Sequence, residues 1–391
     1  MKITDRNHLA YCTNIHPAES WPETFAALQE HVLAVRDRLR ALGRLAPEAP
    51  YAIGLRLSAR AAEELLTGDA LPLFQDWLAA ENCYVFTING FPYGAFHGTR
   101  VKEKVFQPDW TTPERLAYTQ QLFTIIAALC PADSGGSVST LPGSHKTFEP
   151  DESAILENLT RCAHHIEELA QKTGKDLHLG LEPEPLGHFE NTAESLAFFE
   201  RLRAHAGDDE LIQRRIGLNY DTCHFALEFD DCAHSLQALS AAGIRISKLH
   251  LSNALSFDPQ AAESLSAIAR FDEPTYFHQV ILKNHEGALT RFPDLPDFLA
   301  AREAGRIDLS AQQEGRVHFH IPLYQSPLSP LASTLDHAAE AIACLRQSPQ
   351  LCPHLEIETY TWGVLPESLQ QDLTSQITSE YAWVLDRLAS A

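Results

Sequence analysis

The chain is short of positive charge. Its 391 residues carry 30 Lys and Arg against 52 Asp and Glu, a formal net charge of −22. A general nucleic-acid surface needs basic area to displace counterions, so nucleic acid is not an expected partner. The same balance disfavours an anionic membrane surface. No run of about 18 apolar residues is present, which excludes a membrane-spanning helix. The opening Met1-Lys2-Ile3-Thr4-Asp5-Arg6 lacks the apolar stretch of a signal peptide. Eight cysteines are scattered and none forms a CxxC pair, which argues against a Cys-type structural zinc site. Without an export signal they read as reduced thiols, and the expected location is the cytoplasm. A Pro/Gly/Ser-rich linker, a composition break and a short repeat are also missing. The expectation is one domain over residues 1–391, with 45% hydrophobic residues to fill its core.

Short apolar runs alternate with amphipathic helical stretches, the pattern of βαβ units on a parallel sheet. Strands are expected at about 8–15, 51–57, 83–89, 137–141, 177–181, 216–221, 246–251 and 355–359. Ser20-Trp21-Pro22-Glu23 reads as a capping box opening a helix that carries Phe25, Leu28, Val32, Val35, Leu39 and Leu42 at helical spacing. A long loop, 90–109, follows the third strand, and its aromatic residues argue for order. An irregular insert of about 255–325 separates the seventh and eighth strands, and Val317-His318-Phe319-His320-Ile321 inside it reads as a strand. Eight βα units make a (β/α)8 TIM barrel, an α/β fold whose active sites lie at the C-terminal strand ends.

Barrel strands alternate between lumen and helix layer. In Leu177-His178-Leu179-Gly180-Leu181-Glu182 the leucines suit the helix layer, so His178, Gly180 and Glu182 face inward. The same parity turns Asn219 and Asp221, Lys248 and His250, Glu356 and Glu358, and Arg56 into the lumen. Asn14, His16 and Asn89 sit at other strand ends. Glu182, Asp221, His250 and Glu358 thus gather at four neighbouring strand ends. Buried carboxylates need partners or a cation. Oxygen and imidazole ligands suit Mn²⁺, Zn²⁺, Co²⁺ or Fe²⁺. The competing reading pairs these carboxylates with Arg56, Lys248 or other bases. Asp221-Thr222-Cys223-His224 turns out of its strand, so His224 can converge with Asp221; the bland alternative is an Asp that only caps a helix. Asn14, His16, Arg56, Asn89 and Lys248 are the candidate substrate contacts, although Lys248 also suits a pairing with Glu356, which sits one layer deeper.

Leu181-Glu182-Pro183, Asp221-Thr222-Cys223-His224, Leu249-His250-Leu251 and Ile357-Glu358-Thr359, in that order, resemble the xylose isomerase-like TIM barrel superfamily. That group includes sugar isomerases, epimerases and the endonuclease IV type. Asn89-Gly90-Phe91-Pro92-Tyr93-Gly94-Ala95-Phe96-His97, Pro108-Asp109-Trp110 and 317–323 look like its EboE, or metabolite traffic, branch. The resemblance implies one divalent ion held by Glu182, Asp221, His250 and Glu358. It also implies that Glu182 and Glu358 exchange a proton beside a substrate carbonyl, and that His224 orients the substrate. The substrate would be a sugar, cyclitol or similar polyhydroxy carbonyl metabolite. Two departures stand out. Ser252-Asn253-Ala254 replaces the Arg or second His that epimerases carry after strand 7. Arg56 and Asn89 stand where endonucleases carry histidines.

Two rivals follow. His224, His97, His318 and His320 would supply a second metal ion, or bind substrate, and more than one ion would make the protein a di- or trinuclear phosphate-ester hydrolase. A non-catalytic metabolite carrier would bind without turnover. Barrels of this group often associate, which makes a homodimer conceivable, but no strand edge or patch in the sequence fixes an oligomeric state.

Overall fold

The structure, a computed structural model, describes residues 1–94, 102–272, 276–325, 329–359 and 372–389. The first seven strands are β1 (His8–Tyr11), β2 (Tyr51–Arg56), β3 (Cys83–Asn89), β4 (Gly136–Thr140), β5 (Leu177–Leu181), β6 (Ile216–Asp221) and β7 (Arg245–Leu251). Five short strands follow: β8 (Leu255–Phe257), β9 (Val280–Asn284), β10 (Leu289–Phe292), β11 (Gln312–Val317) and β12 (Ala332–Ser333). The last is β13 (His354–Ile357).

Eight of these strands form one parallel sheet in the order β1-β13-β7-β6-β5-β4-β3-β2. A parallel bridge between Cys12 and Gly54 joins its two edges, so the sheet curls into a nearly closed (β/α)8 barrel. The lumen parity read from the leucines holds. Leu177, Leu179 and Leu181 pack into the helix layer, while the His178 ring stacks on His354 within the lumen. The helices begin where the caps indicate. Ser20 and Glu23 make the reciprocal capping box at Trp21, and Gly174, with φ +69°, ends the helix Glu152–Thr173.

The strand ends differ from the sequence reading in ways that matter for the site. β1 stops at Tyr11 and a 3-10 turn, Thr13–Ile15, carries the chain away. β11 stops at Val317, so His318-Phe319-His320-Ile321 is not strand. The insert is more regular than its prolines suggest. Its strands form an antiparallel sheet in the order β10-β9-β11-β8-β12, which extends the insert to Ser333. Arg291 binds Glu228, Arg316 donates to the Ala226 carbonyl and lies 3.9 Å from the Phe229 ring centre, and Gln279 donates to Glu190 at 3.2 Å. These contacts hold the second sheet over the C-terminal mouth of the barrel. No helix among the described residues is long and apolar enough to cross a membrane.

Candidate active site

Neighbouring strands β6, β7 and β13 are in register at the mouth, with Asp221 beside His250 and His250 beside Glu356. Glu182 and Glu358 lie just beyond β5 and β13. One ligand atom from each of Glu182, Asp221, His250 and Glu358 falls within 4.8 Å of the other three, and all four residues are buried. His250 Nδ1 lies 3.2 Å from Glu182 Oε1, 3.3 Å from Glu358 Oε2 and 3.7 Å from Asp221 Oδ2.

Each carboxylate is anchored by one oxygen and presents the other. Glu182 Oε2 accepts from Asn219 Nδ2 at 2.7 Å, and that amide nitrogen is also 3.1 Å from His250 Nδ1. Glu358 Oε1 accepts from Asn14 at 2.9 Å and Asn89 at 3.3 Å. Asp221 Oδ1 accepts from the Cys223 N–H at 2.7 Å, the His224 N–H at 3.3 Å and the Ser252 hydroxyl. Asp221 therefore does cap the short helix Thr222–Leu227, but with one oxygen only. Its Oδ2 is buried with no hydrogen-bond partner and faces the His250 ring.

A buried carboxylate oxygen without a donor, as Asp221 Oδ2 is, costs about 1–3 kcal/mol or more, and with Glu182 and Glu358 oxygens beside it around one imidazole nitrogen the set calls for a cation. A proton on Nδ1 is one such cation. Burial pulls His250 down, but the Glu358 and Glu182 carboxylates outweigh it and raise the imidazole well above its usual range. Burial pushes Asp221 up, yet the surrounding imidazoles, His224 and His250 foremost, hold it well below the usual carboxylate range. A divalent ion shared by all four atoms satisfies the same set, and three carboxylates with one imidazole are hard and borderline donors that suit it. The residues present fit a metal ion.

A second group adjoins the first. His224 Nδ1 donates to the Pro183 carbonyl at 2.8 Å, which turns Nε2 toward Glu184 Oε2 at 3.3 Å. The His318 ring lies 4.9 Å from that of His224, edge to face, and both of its buried nitrogens are without a hydrogen-bond partner. Ligand atoms of Glu184, His224 and His318 also fall within 4.8 Å of one another. His320 turns its Nδ1 to the Glu358 carbonyl at 2.9 Å and joins Asp221 and His224 in a further such group.

Part of this set borders a cavity of about 70 Å³ that is partly open to solvent, while Asp221, His250 and His320 are buried outside its lining. Asn14, Asn89, Glu182, Glu184, His224, His318 and Glu358 line it below; Phe91, Val105, Phe106, Tyr276 and Phe277 form an apolar wall. Three of the expected substrate contacts lie elsewhere. Arg56 donates to the carbonyls of Ala18 and Gly94 and pairs with Glu19. The His16 ring bonds to the Tyr11 hydroxyl at 2.8 Å and stacks on His31. Lys248 sits one layer below the floor against Glu356, 2.6 Å away. None of the three lines the cavity. His97 falls outside the described residues. Glu184, Asn219 and Gln279 are additions that the sequence reading did not single out as site residues.

No family model and no curated protein matches the chain. Solved structures do. A crystal structure of IolI protein with a bound zinc atom superposes with a TM-score of 0.50 at 10% identity, covering 97% of this chain and 98% of that one. D-allulose 3-epimerase from Methylomonas sp., in complex with D-allulose, superposes with a TM-score of 0.51 at 10% identity over 99% of both chains. At such identity the likeness is one of fold, and the fold this chain shares with both is a (β/α)8 barrel.

Proposed function

We propose that the protein is a divalent-metal-dependent isomerase or epimerase acting on a sugar, cyclitol or similar polyhydroxy carbonyl metabolite. The observation that carries this reading is the convergence of Glu182, Asp221, His250 and Glu358, with Asp221 Oδ2 buried and unpartnered among them. The bound zinc of IolI and the bound D-allulose of the epimerase lend support from the same fold. The finer likeness to the EboE branch rests on loop motifs alone.

In this reading Glu182, Asp221, His250 and Glu358 hold the ion. The ion would polarise the substrate carbonyl and its neighbouring hydroxyl. Glu182 and Glu358 come from β5 and β13, which are not neighbours in the sheet, and both border the cavity. In this reading a substrate carbon held between them would have one carboxylate on each side. One takes the proton beside the carbonyl and the other returns it on the opposite face. The amides of Asn14, Asn89 and Asn219 fix the anchored oxygens, so each carboxylate is oriented before substrate arrives. The apolar wall suits the C–H face of a ring.

The test is metal content by elemental analysis, followed by a ketose and cyclitol screen in Mn²⁺, Zn²⁺ or Co²⁺. About one ion per chain, lost in Asp221→Asn, with proton exchange beside a carbonyl, supports the reading. No ion after reconstitution sinks it and leaves a metabolite carrier. A second reading, phosphate-ester hydrolysis at two or more ions, draws on the Glu184, His224 and His318 group. Two or three ions per chain with phosphatase activity would select it.

A further inference from the structure

We propose that Glu356 is a positioning residue that fixes which nitrogen of His250 faces the floor of the cavity. The inference rests on the ion-binding reading above. Glu356 Oε2 lies 2.7 Å from His250 Nε2 and 2.6 Å from Lys248 Nζ, and all three side chains are fully buried. The register pairs Glu356 with His250 across the β13–β7 boundary, and Lys248 is two residues earlier on the same face of β7. Glu356 Oε2 accepts from the Lys248 ammonium, and the same oxygen meets His250 Nε2 as an acceptor, so Nε2 carries a proton. With Nε2 so occupied, the nitrogen that an ion would take in place of a proton is Nδ1, among Glu182, Asp221 and Glu358. An outer carboxylate of this kind sets both the tautomer and the ring orientation of a metal-binding histidine.

The space for it is provided from across the lumen. A Cβ at Gly54 would come within 2.1 Å of Glu356 Oε1 and 2.5 Å of the Tyr11 carbonyl. Gly54 is therefore the residue that lets the carboxylate stand upright under His250. The pair also explains the buried lysine: Lys248 serves Glu356 and, through it, His250, without reaching the cavity.

The experiment uses the full chain with ¹⁵N-labelled histidine, stripped by chelator and titrated with Zn²⁺ against a competing chelator. Variants are Glu356→Gln, Glu356→Ala and the double variant Glu356→Ala/Lys248→Met, which leaves no buried ammonium without a partner. The expected result is a loss of Zn²⁺ affinity of about 10–100-fold for Glu356→Ala and for the double variant, with partial rescue in Glu356→Gln. The double variant should also lose the slowly exchanging His250 Nε2–H signal seen in the wild type. Wild-type affinity in a folded double variant, or a wild-type His250 without a proton on Nε2, overturns the proposal. A wild type that binds no Zn²⁺ yet shows the Nε2–H signal, lost on removing Glu356, overturns the ion-binding reading and leaves the positioning role standing.

Discussion

Glu182, Asp221, His250 and Glu358 stand at the ends of strands, whereas Glu184, His224 and His318 come from a loop, a short helix and the insert. The residue types are the same and the protonation is opposite. Glu358 and Glu182 raise His250, and the neighbouring imidazoles hold Asp221 down, so the first group is ionic. In the second, burial and the nearby Glu182, Asp221 and Glu358 carboxylates push Glu184 well up, while burial lowers His224 and His318. The pull in this group is thus toward a neutral Glu184 and neutral imidazoles, with Glu184 Oε2 3.3 Å from His224 Nε2. The ratio of acids to imidazoles separates them, and Glu184 is also the one member of either group that is only partly buried. The first group is built for a cation; the second needs one only if Glu184 gives up its proton.

The largest effect that would break this contrast is in the ionic group. Glu358→Gln keeps the shape and the Asn14 and Asn89 contacts but removes the charge. Turnover should fall about 10²–10⁴-fold, the range of a lost acid or base, while far-ultraviolet circular dichroism is unchanged. A smaller loss than that would mean Glu358 moves no proton.

A buried glutamate that belongs to neither group, Glu380 on the last helix, provides the reference for a carboxyl pushed up by burial. Glu380 accepts from Thr359 Oγ at 2.7 Å and the Leu323 N–H at 3.1 Å, and burial nonetheless raises it to about 7. Its folded value lies above its unfolded value of about 4.3, so its stabilising contribution is complete below pH 4.3 and is lost as pH rises through 7. The loss is on the order of 3 kcal/mol. Glu380→Gln should escape it, and urea melts across pH 4–8 should show the variant gaining on the wild type up to about pH 7 and then staying level.

Glu184→Gln should give the mildest change. Burial and the surrounding carboxylates push this acid toward the neutral form that an amide mimics, so the replacement should shift stability at neutral pH by less than about 1 kcal/mol. As pH rises, the wild type loses the contribution of the raised carboxyl and the variant does not, so the variant should gain relative to it in melts made in chelator. A variant far less stable at neutral pH would show that Glu184 is charged and would erase the distinction between the two groups.

Much of the ionic group was legible in the sequence because period-two alternation is a strong constraint on a buried strand. Leucines at 177, 179 and 181 force Glu182 to the lumen side, and the same parity serves Asp221, His250, Glu356 and Glu358. Parity fails once a strand ends. Glu184 lies two residues beyond Glu182 on a turn, and His318 follows β11, so alternation says nothing of either. His16 was assigned to a strand end, but the turn over Thr13–Ile15 redirects the chain before it. Arg56 does end β2, yet its long side chain reaches past the lumen to loop carbonyls, which parity cannot foresee. The second sheet was hidden because its strands are two to six residues long and pair antiparallel across distant parts of the insert.

The sheet that roofs the mouth carries a consequence for how such a protein diversifies. The floor comes from strands whose register ties every side chain to its neighbours. Gln279, His318, Tyr276 and Phe277 come instead from a stretch anchored chiefly through Arg291 and Arg316 at its margin. Reactivity and recognition are thus written in separate passages of the chain. Exchanging the roof for another of equal span would change the molecule accepted while leaving the chemistry below intact, so selectivity can drift by recombination without the reaction being reinvented.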